Sequence, residues 1–575
     1  MFKDKDFSSN EKAGSSSRAQ SLLSVHTQEY DLEVSKSVPV ALAEGHKLKR
    51  DLQSRHITMI AIGGALGTGL LIGTTSALAS GGPGSVFVAY SIVGLVVYCV
   101  MCALGEMATY IPLPEGFAGY ASRYVDPALG FAVGYCYLFK YLIITPNQLV
   151  AASLVLQYWV DADRVNPGVW IAIFLVVITF INYFGVKFFG EFEFWLSSLK
   201  VITVVGLIIL LFVLMLGGGP NHDRTGFRYW KTPGSFKPYD GVEPDSLAKF
   251  VSFWSVFVYA TFAYLGTELV GVVFGEARNP RHSIKKAIKL TFYRILFFYC
   301  LSVLLLGCCV AYNDPNLLAA KKSSTSSAAS PFVVAAKNAG IGVLPHIINA
   351  AILIFIFSAC NSDLYIATRT LYGLSANGKA PKVFSRTNKN GVPIYALAFA
   401  CVFCCLAFMA CSSNSKTVFN YFVNVVSIFG LLTWVSILVT HIFFMKALAA
   451  QGINRKTDLV YKAPFQPYAS YFALFMCILI SLIKNFTVFI GGFDYKNFIT
   501  GYIGIPVYLI SLFGYKIIMR SKRVRPEEAD LYTYKDVIDA EEAECLKEDE
   551  EAKAARAGRP HDLSWFYETF IGWLF

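Results

Sequence analysis

Twelve apolar stretches of about 20 residues or more follow one another along this chain, with only short polar segments between most of them. Their approximate bounds are 57–78, 84–112, 127–157, 168–188, 192–216, 249–275, 291–312, 341–375, 393–412, 417–446, 468–490 and 498–519. A hydrocarbon core about 30 Å thick takes roughly 20 helical residues to cross. Lipid offers no partner to loose backbone, so spans of this kind must be helical. The sequence therefore predicts an all-α polytopic membrane protein with 12 transmembrane helices. Composition agrees: 15% of the 575 residues are charged, against about 25% in soluble proteins. Several spans exceed 25 residues, which implies tilt, a kink or extension beyond the bilayer, and Pro146 is placed to kink the third.

A net charge of +11 would suit a nucleic-acid partner. Here the basic residues sit between apolar spans, the pattern of cytoplasmic loops, so no nucleic acid is expected. The 13 cysteines lie almost entirely inside the spans and show no zinc spacing, so no metal or other cofactor is expected. No nucleophile–base pair or ligand cluster appears among the spans, which argues against an enzyme.

Residues 1–50 are serine-rich and aperiodic, a disordered tail, and no signal peptide precedes the first span. Residues 51–520 form the membrane domain, and 521–575 a charged, acidic tail. Lysine and arginine crowd the segments at 47–55, 278–289, 379–389 and 520–525, whereas 158–167 and 491–497 carry one basic residue each. Two outer loops, about 217–248 and 313–340, are basic exceptions, but long loops obey the charge rule weakly, so the count puts both termini in the cytoplasm. The tail lysines Lys3, Lys5 and Lys12 are candidate ubiquitin acceptors, which would make ubiquitin ligase adaptors partners.

Glycine interrupts the first span where a membrane helix would carry leucine: Gly63, Gly64, Gly67, Gly69 and Gly73 fall within eleven residues, with Thr68 among them. Close helix packing through Gly63/Gly67 and Gly69/Gly73 is the simpler reading. A break at that depth is instead tolerated where it faces protein or water. The sixth span carries a second interruption at Gly266, inside Thr261-Phe262-Ala263-Tyr264-Leu265-Gly266-Thr267-Glu268. Breaks five spans apart predict an inverted five-plus-five repeat (about 57–216 and 249–446, with 468–519 outside it), and a site between discontinuous helices 1 and 6. Amides freed at Thr68 and Gly69 begin a half-helix whose dipole favours a carboxylate. Carbonyls freed near Ala65 and Leu265 could accept from an ammonium. Together they describe a receptor for the backbone of an α-amino acid.

Charges within apolar spans are costly and mark function by default. Glu106, Lys140, Lys200, Glu268 and Asp363 are the deep ones. Glu268 could sense substrate or a proton, or simply pin the break by hydrogen bonding. Lys200 could shuttle a proton, since desolvation lowers a lysine pKa, or pair with a neighbouring acid. Asp363 could pair, handle protons or serve a gate, and Glu106 reads as structural. Lys140 could match a substrate side-chain carboxylate, or form a salt bridge to Asp363 or Glu268.

Gly63-Gly64-Ala65-Leu66-Gly67-Thr68-Gly69, Gly105-Glu106-Met107-Ala108, Gly185-Val186-Lys187-Phe188-Phe189-Gly190-Glu191, Gly266-Thr267-Glu268-Leu269 and Glu276-Ala277-Arg278-Asn279-Pro280-Arg281 together resemble the fungal amino acid permeases, of the amino acid–polyamine–organocation superfamily. Tyr137-Leu138-Phe139-Lys140-Tyr141 and Asn361-Ser362-Asp363-Leu364-Tyr365 are most similar to the dicarboxylic branch, which takes up glutamate and aspartate. The resemblance implies a leucine-transporter-like fold and proton symport at the plasma membrane. It places Thr68 and Gly69 at the substrate carboxylate and Ala65, Phe262 and Leu265 at the carbonyls for its ammonium, with Gly64, Gly67 and Gly266 also among the substrate-binding positions. It puts Lys140 in the side-chain pocket, Lys200 where related proton-coupled carriers keep a lysine in place of sodium, and Glu268 and Asp363 among the proton-coupling candidates. A broad-range permease in which Lys140 is only structural, and a nutrient receptor that signals with little transport, are the alternatives.

Overall fold

Several helix starts in this chain are set by short capping sequences. The computed structural model describes residues 66–556, apart from 114, 185, 270, 272–279, 323–329, 389–390 and 413. Asp126 accepts a hydrogen bond from the Ala128 amide (2.8 Å) and Pro127 supplies a ready-made first turn, which starts α3 (Pro127–Leu156). Asn166 and Pro167 do the same for α4 (Pro167–Tyr183), and Asn414 caps α10 (Ser415–Ala450) through the Lys416 amide.

The remaining membrane-length helices are α1 (Gly69–Tyr110), α5 (Val186–Met215), α6 (Asp245–Tyr264), α7 (Arg281–Cys309), α8 (Leu344–Ala376), α9 (Ile394–Cys411), α11 (Tyr468–Phe489) and α12 (Tyr495–Met519). Short α2 (Gly116–Tyr124) precedes α3, and α13 (Lys535–Arg556) lies in the tail. Among the described residues ten helices are long and apolar enough to cross a membrane, rather than twelve. Two local causes account for the difference. α1 counts once by length, but its backbone leaves helical geometry at Gly82 (φ 81°, ψ 169°), so that 69–81 and 83–110 are two helical segments meeting at a sharp kink, at the boundary expected between the first two spans; only glycine takes that φ without strain. At 17 residues, α4 falls just short of membrane length.

Burial sorts the helices into core and rim. α3 packs on α10, α8 and α12, while α1 packs on α6 and α7. Most of α3 and α10 is buried, whereas α5 and α12 turn Ile202, Ile209, Ile510 and Ile517 outward. An apolar rim around a dry core is what hydrocarbon solvates best. The acidic tail folds back on the face where α1 and α2 end. Arg123 donates to the Asp530 and Thr533 carbonyls (2.5 and 2.9 Å) and pairs with the Asp530 carboxylate (2.9 Å). Arg281 pairs with Asp539 and Glu542 of α13 (2.6 and 2.5 Å).

Candidate functional site

α6 stops at Tyr264 because Leu265 turns extended (φ −62°, ψ 145°) and Gly266 adopts φ 92°. Residues 265–268 form a turn before helix resumes at Leu269. The Thr267 hydroxyl donates to the freed Tyr264 carbonyl (2.7 Å). Leu265 lodges against Gly430 of α10, where a Cβ would stand 2.2 Å from its methyl carbon.

The other break enters the described residues at Leu66. Gly63, Gly64 and Ala65 lie outside them. Gly67 and Thr68 lead into a wide π-type turn, Gly69–Gly73, that continues into α1. A Cβ at Gly69 would lie 2.4 Å from the Ala263 Cα and 2.9 Å from the Phe262 carbonyl oxygen. The two interruptions thus meet backbone to backbone, at Gly69 and Phe262–Ala263. The Thr68 hydroxyl is buried there without a hydrogen-bond partner.

Lys140, fully buried on α3, forms an ion pair with Glu268. The other Glu268 oxygen accepts from the Trp434 indole of α10 (3.1 Å). The Lys140 ammonium also lies 4.8 Å from the Tyr141 ring centroid and 5.3 Å from that of Tyr137, close enough for cation–π attraction. Lys140 therefore meets the acid just past the second break. Of the two acids weighed as its structural partner, Glu268 is the one in contact. Arg294 of α7, also buried, lies within electrostatic reach of Glu268.

Lys200 pairs with Glu193 two turns earlier on α5 (3.3 Å). Glu193 in turn accepts from Ser197 (3.0 Å) and from Ser358 of α8 (2.7 and 2.8 Å). Asp363 accepts from Gln148 (3.1 Å) and lies within electrostatic reach of Lys140, Lys200 and Glu193. The cluster so holds three cations (Lys140, Lys200, Arg294) and three carboxylates (Glu193, Glu268, Asp363) among the described residues. Glu106 stands apart, held by Arg455, by His441 (3.1 Å) and by the Ala463 amide (3.2 Å).

Sequence reading passed over Glu193, Arg294 and Trp434. Glu193 sits in the motif-rich start of the fifth span, and its spacing from Lys200, seven residues on one helix face, was a legible signal. Arg294 and Trp434 carry no local signal, since only tertiary packing brings them to Glu268.

A cavity of about 470 Å³ opens on the side where the tail docks. Tyr137 lines its depth, one turn from Lys140, and Glu115, Arg123, Lys379, Asp530 and Tyr534 line its mouth. Burial pushes the Glu115 carboxyl upward, only partly offset by a backbone hydrogen bond and by Lys379 and Arg123. Burial likewise lowers Lys379, against the pull of Glu115.

Residues 56–527 match the family described as Amino acid permease. The chain is 60% identical to the dicarboxylic amino acid permease of Saccharomyces cerevisiae, over 94% of this chain and 88% of that one. It is 45% identical to an uncharacterized amino-acid permease of Schizosaccharomyces pombe, over 85% and 93%. The proline-specific permease of Emericella nidulans is 41% identical, over 88% and 92%. A solved nucleobase–cation symporter, Mhp1, aligns with 78% of this chain and 96% of its own at a TM-score of 0.42 and 14% identity, too distant a likeness to bear on the arrangement of helices. The relatives are permeases rather than enzymes, and the chain belongs to the amino acid permease family.

Proposed function

We propose that this permease is a plasma-membrane, proton-coupled importer of acidic amino acids, L-glutamate and L-aspartate. The observation that carries the reading is the 60% identity to a dicarboxylic amino acid permease, together with a buried lysine beside the broken helices. In this reading Gly64, Gly67, Thr68 and Gly69 hold the substrate α-carboxylate, and Ala65, Phe262, Leu265 and Gly266 hold its ammonium. The buried, unpartnered Thr68 hydroxyl suits the first role. The substrate's side-chain carboxylate competes with Glu268 for Lys140.

Charge balance ties that exchange to protons. With three cations against three carboxylates, the cluster is neutral when all are ionised. A bound glutamate adds one negative charge to a dry site, and a proton restores the balance. Glu268, displaced from Lys140, and Asp363, which has a neutral amide as its hydrogen-bond partner, are the groups to take it. Lys200 sets the local potential through Glu193. Against an inside-negative potential one negative charge costs ~2.3 kcal/mol per 100 mV. One proton cancels that and a second lets the potential drive uptake.

The working fold is twelve crossings with a five-plus-five inverted repeat and both termini cytoplasmic. Spans one, two, six and seven rock against three, four, eight and nine. The tails at 1–50 and 521–575 would present sites to ubiquitin ligase adaptors.

Uptake of labelled L-glutamate by a permease-null fungal strain expressing the chain tests the substrate. The reading expects competition by aspartate and little by neutral amino acids. Strong competition by neutral amino acids would favour a second reading, broad specificity with Lys140–Glu268 as a structural pair. The near-complete satisfaction of that pair by Trp434 and two tyrosine rings is the observation in its favour.

A further inference from the structure

Lys416 stands at the second position of α10, at the opposite end of that helix from Arg455 and the docked tail. Its side chain is buried, and its ammonium nitrogen reaches neither solvent nor any hydrogen-bond acceptor among the described residues. The nearest compensation is the Phe419 ring, 5.3 Å from centroid to nitrogen. The charged group that acts on it is another cation, Lys321, whose ammonium donates to Ser80 (2.9 Å). The N-terminus of a 36-residue helix adds positive potential at the same spot. A buried ammonium without a counter-charge is strongly destabilising, so an anion that reached it would relieve the cost.

Its position says which anion. Phe419, one turn along α10, meets Phe262 edge-on at 6.0 Å. Phe262 borders Gly69 and Gly73 of the first break. Lys416 is thus a helical turn from the residue that covers the junction of the two broken helices, on the side away from the docked tail.

We propose that Lys416 is an outer carboxylate site, closed in this structure, that takes up an incoming acidic amino acid when this end of α10 opens, before Phe262 and Phe419 part to admit it. The proposal rests on the acidic-substrate reading. Lys321 adds attraction, and Lys416 supplies the contact. The charge is kept at a cost to stability because it captures substrate.

The test uses the full chain in a permease-null fungal strain, with the purified protein for melting curves. Lys416→Met is expected to raise the Km for L-glutamate about tenfold, the worth of one charge-assisted contact, with Vmax within about twofold. Lys416→Arg restores the Km. The melting midpoint of Lys416→Met is expected to be no lower than that of the unaltered chain, since a methionine fills the site without a charge. An unchanged Km would overturn the proposal. So would a lowered midpoint, which would mean that the ammonium is structurally satisfied. Replacing chloride by gluconate separates the two anion sources: if it raises the Km of the unaltered chain and leaves Lys416→Met unmoved, the ligand is chloride and the proposal falls. If the unaltered chain carries no acidic amino acid, the substrate reading fails with it, and that is seen without any variant.

Discussion

At Gly69 a single methyl group has nowhere to go. Its Cβ would sit 2.4 Å from a backbone atom of Ala263, and backbone cannot swing aside as a side chain can. Gly69→Ala should part the two breaks, cost on the order of 1–3 kcal/mol in stability, and abolish uptake of every amino acid alike. Retained uptake at normal surface levels would show that the junction is not a binding element. Lys140 calls for a paired design. Removing it alone leaves Glu268 buried and unpaired, at about 3–5 kcal/mol. Lys140→Met should therefore lower the melting midpoint, and Lys140→Met with Glu268→Gln should recover it. Compared at equal surface levels, Lys140→Met alone should lose acidic substrates far more than neutral ones. An equal loss for all substrates would mean that the pair is structural.

Among the elements, the start of α3 and the tail are fastened by one carboxylate. Asp126 caps α3, pairs with Lys516 of α12 (2.7 Å) and accepts from Ser521 (2.8 Å). Burial by itself would raise the Asp126 carboxyl, but the hydrogen bonds from Lys516, Ala128 and Ser521 outweigh it and hold it below the ordinary aspartate range. A depressed folded value means that the stabilisation is present above the unfolded value, about 3.9, and is lost as pH falls through the folded one. Melting midpoints of the unaltered chain should fall below about pH 4, and an Asp126→Asn variant should flatten that decline. The same variant should cost about 1 kcal/mol or more at neutral pH, since Lys516 loses its partner while the cap is partly kept. The tail offers its own test. Arg123→Ala removes two hydrogen bonds to tail carbonyls and one ion pair, so limited proteolysis between residues 521 and 535 should accelerate several-fold. An unchanged cleavage rate would show that Arg281 and α13 hold the tail unaided.

For the whole molecule the central quantity is charge moved per substrate. Coupling to more than one proton predicts an inward current and cytoplasmic acidification during glutamate uptake, both growing with the inside-negative potential. Acidification without inward current would limit coupling to one proton. Lys200→Met should flatten the pH dependence of uptake; an unaltered pH profile would confine Lys200 to structure.

Hydropathy and glycine placement are local properties, so they could be read directly from the chain. The helical class and the interruptions near Gly69 and Gly266 follow from which residues can lie in lipid and which can leave a helix. Span counting was less secure. Gly82 separates the first two spans by a sharp kink rather than a loop, because the chain re-enters helical geometry in the next residue. Side-chain partnership is different in kind. The sequence showed that Lys140, Lys200, Glu268 and Asp363 were too deep to be idle, yet their partners lie across distances that no spacing rule spans. Lys140 meets Glu268 128 residues away, and Trp434 reaches the same acid from 166 residues. Burial makes each such charge seek a counter-charge, and helix packing alone decides which one it finds. That is why the two backbone breaks could be inferred from residue order, while the ion pair beside them emerged only when α3, α6 and α10 were brought together.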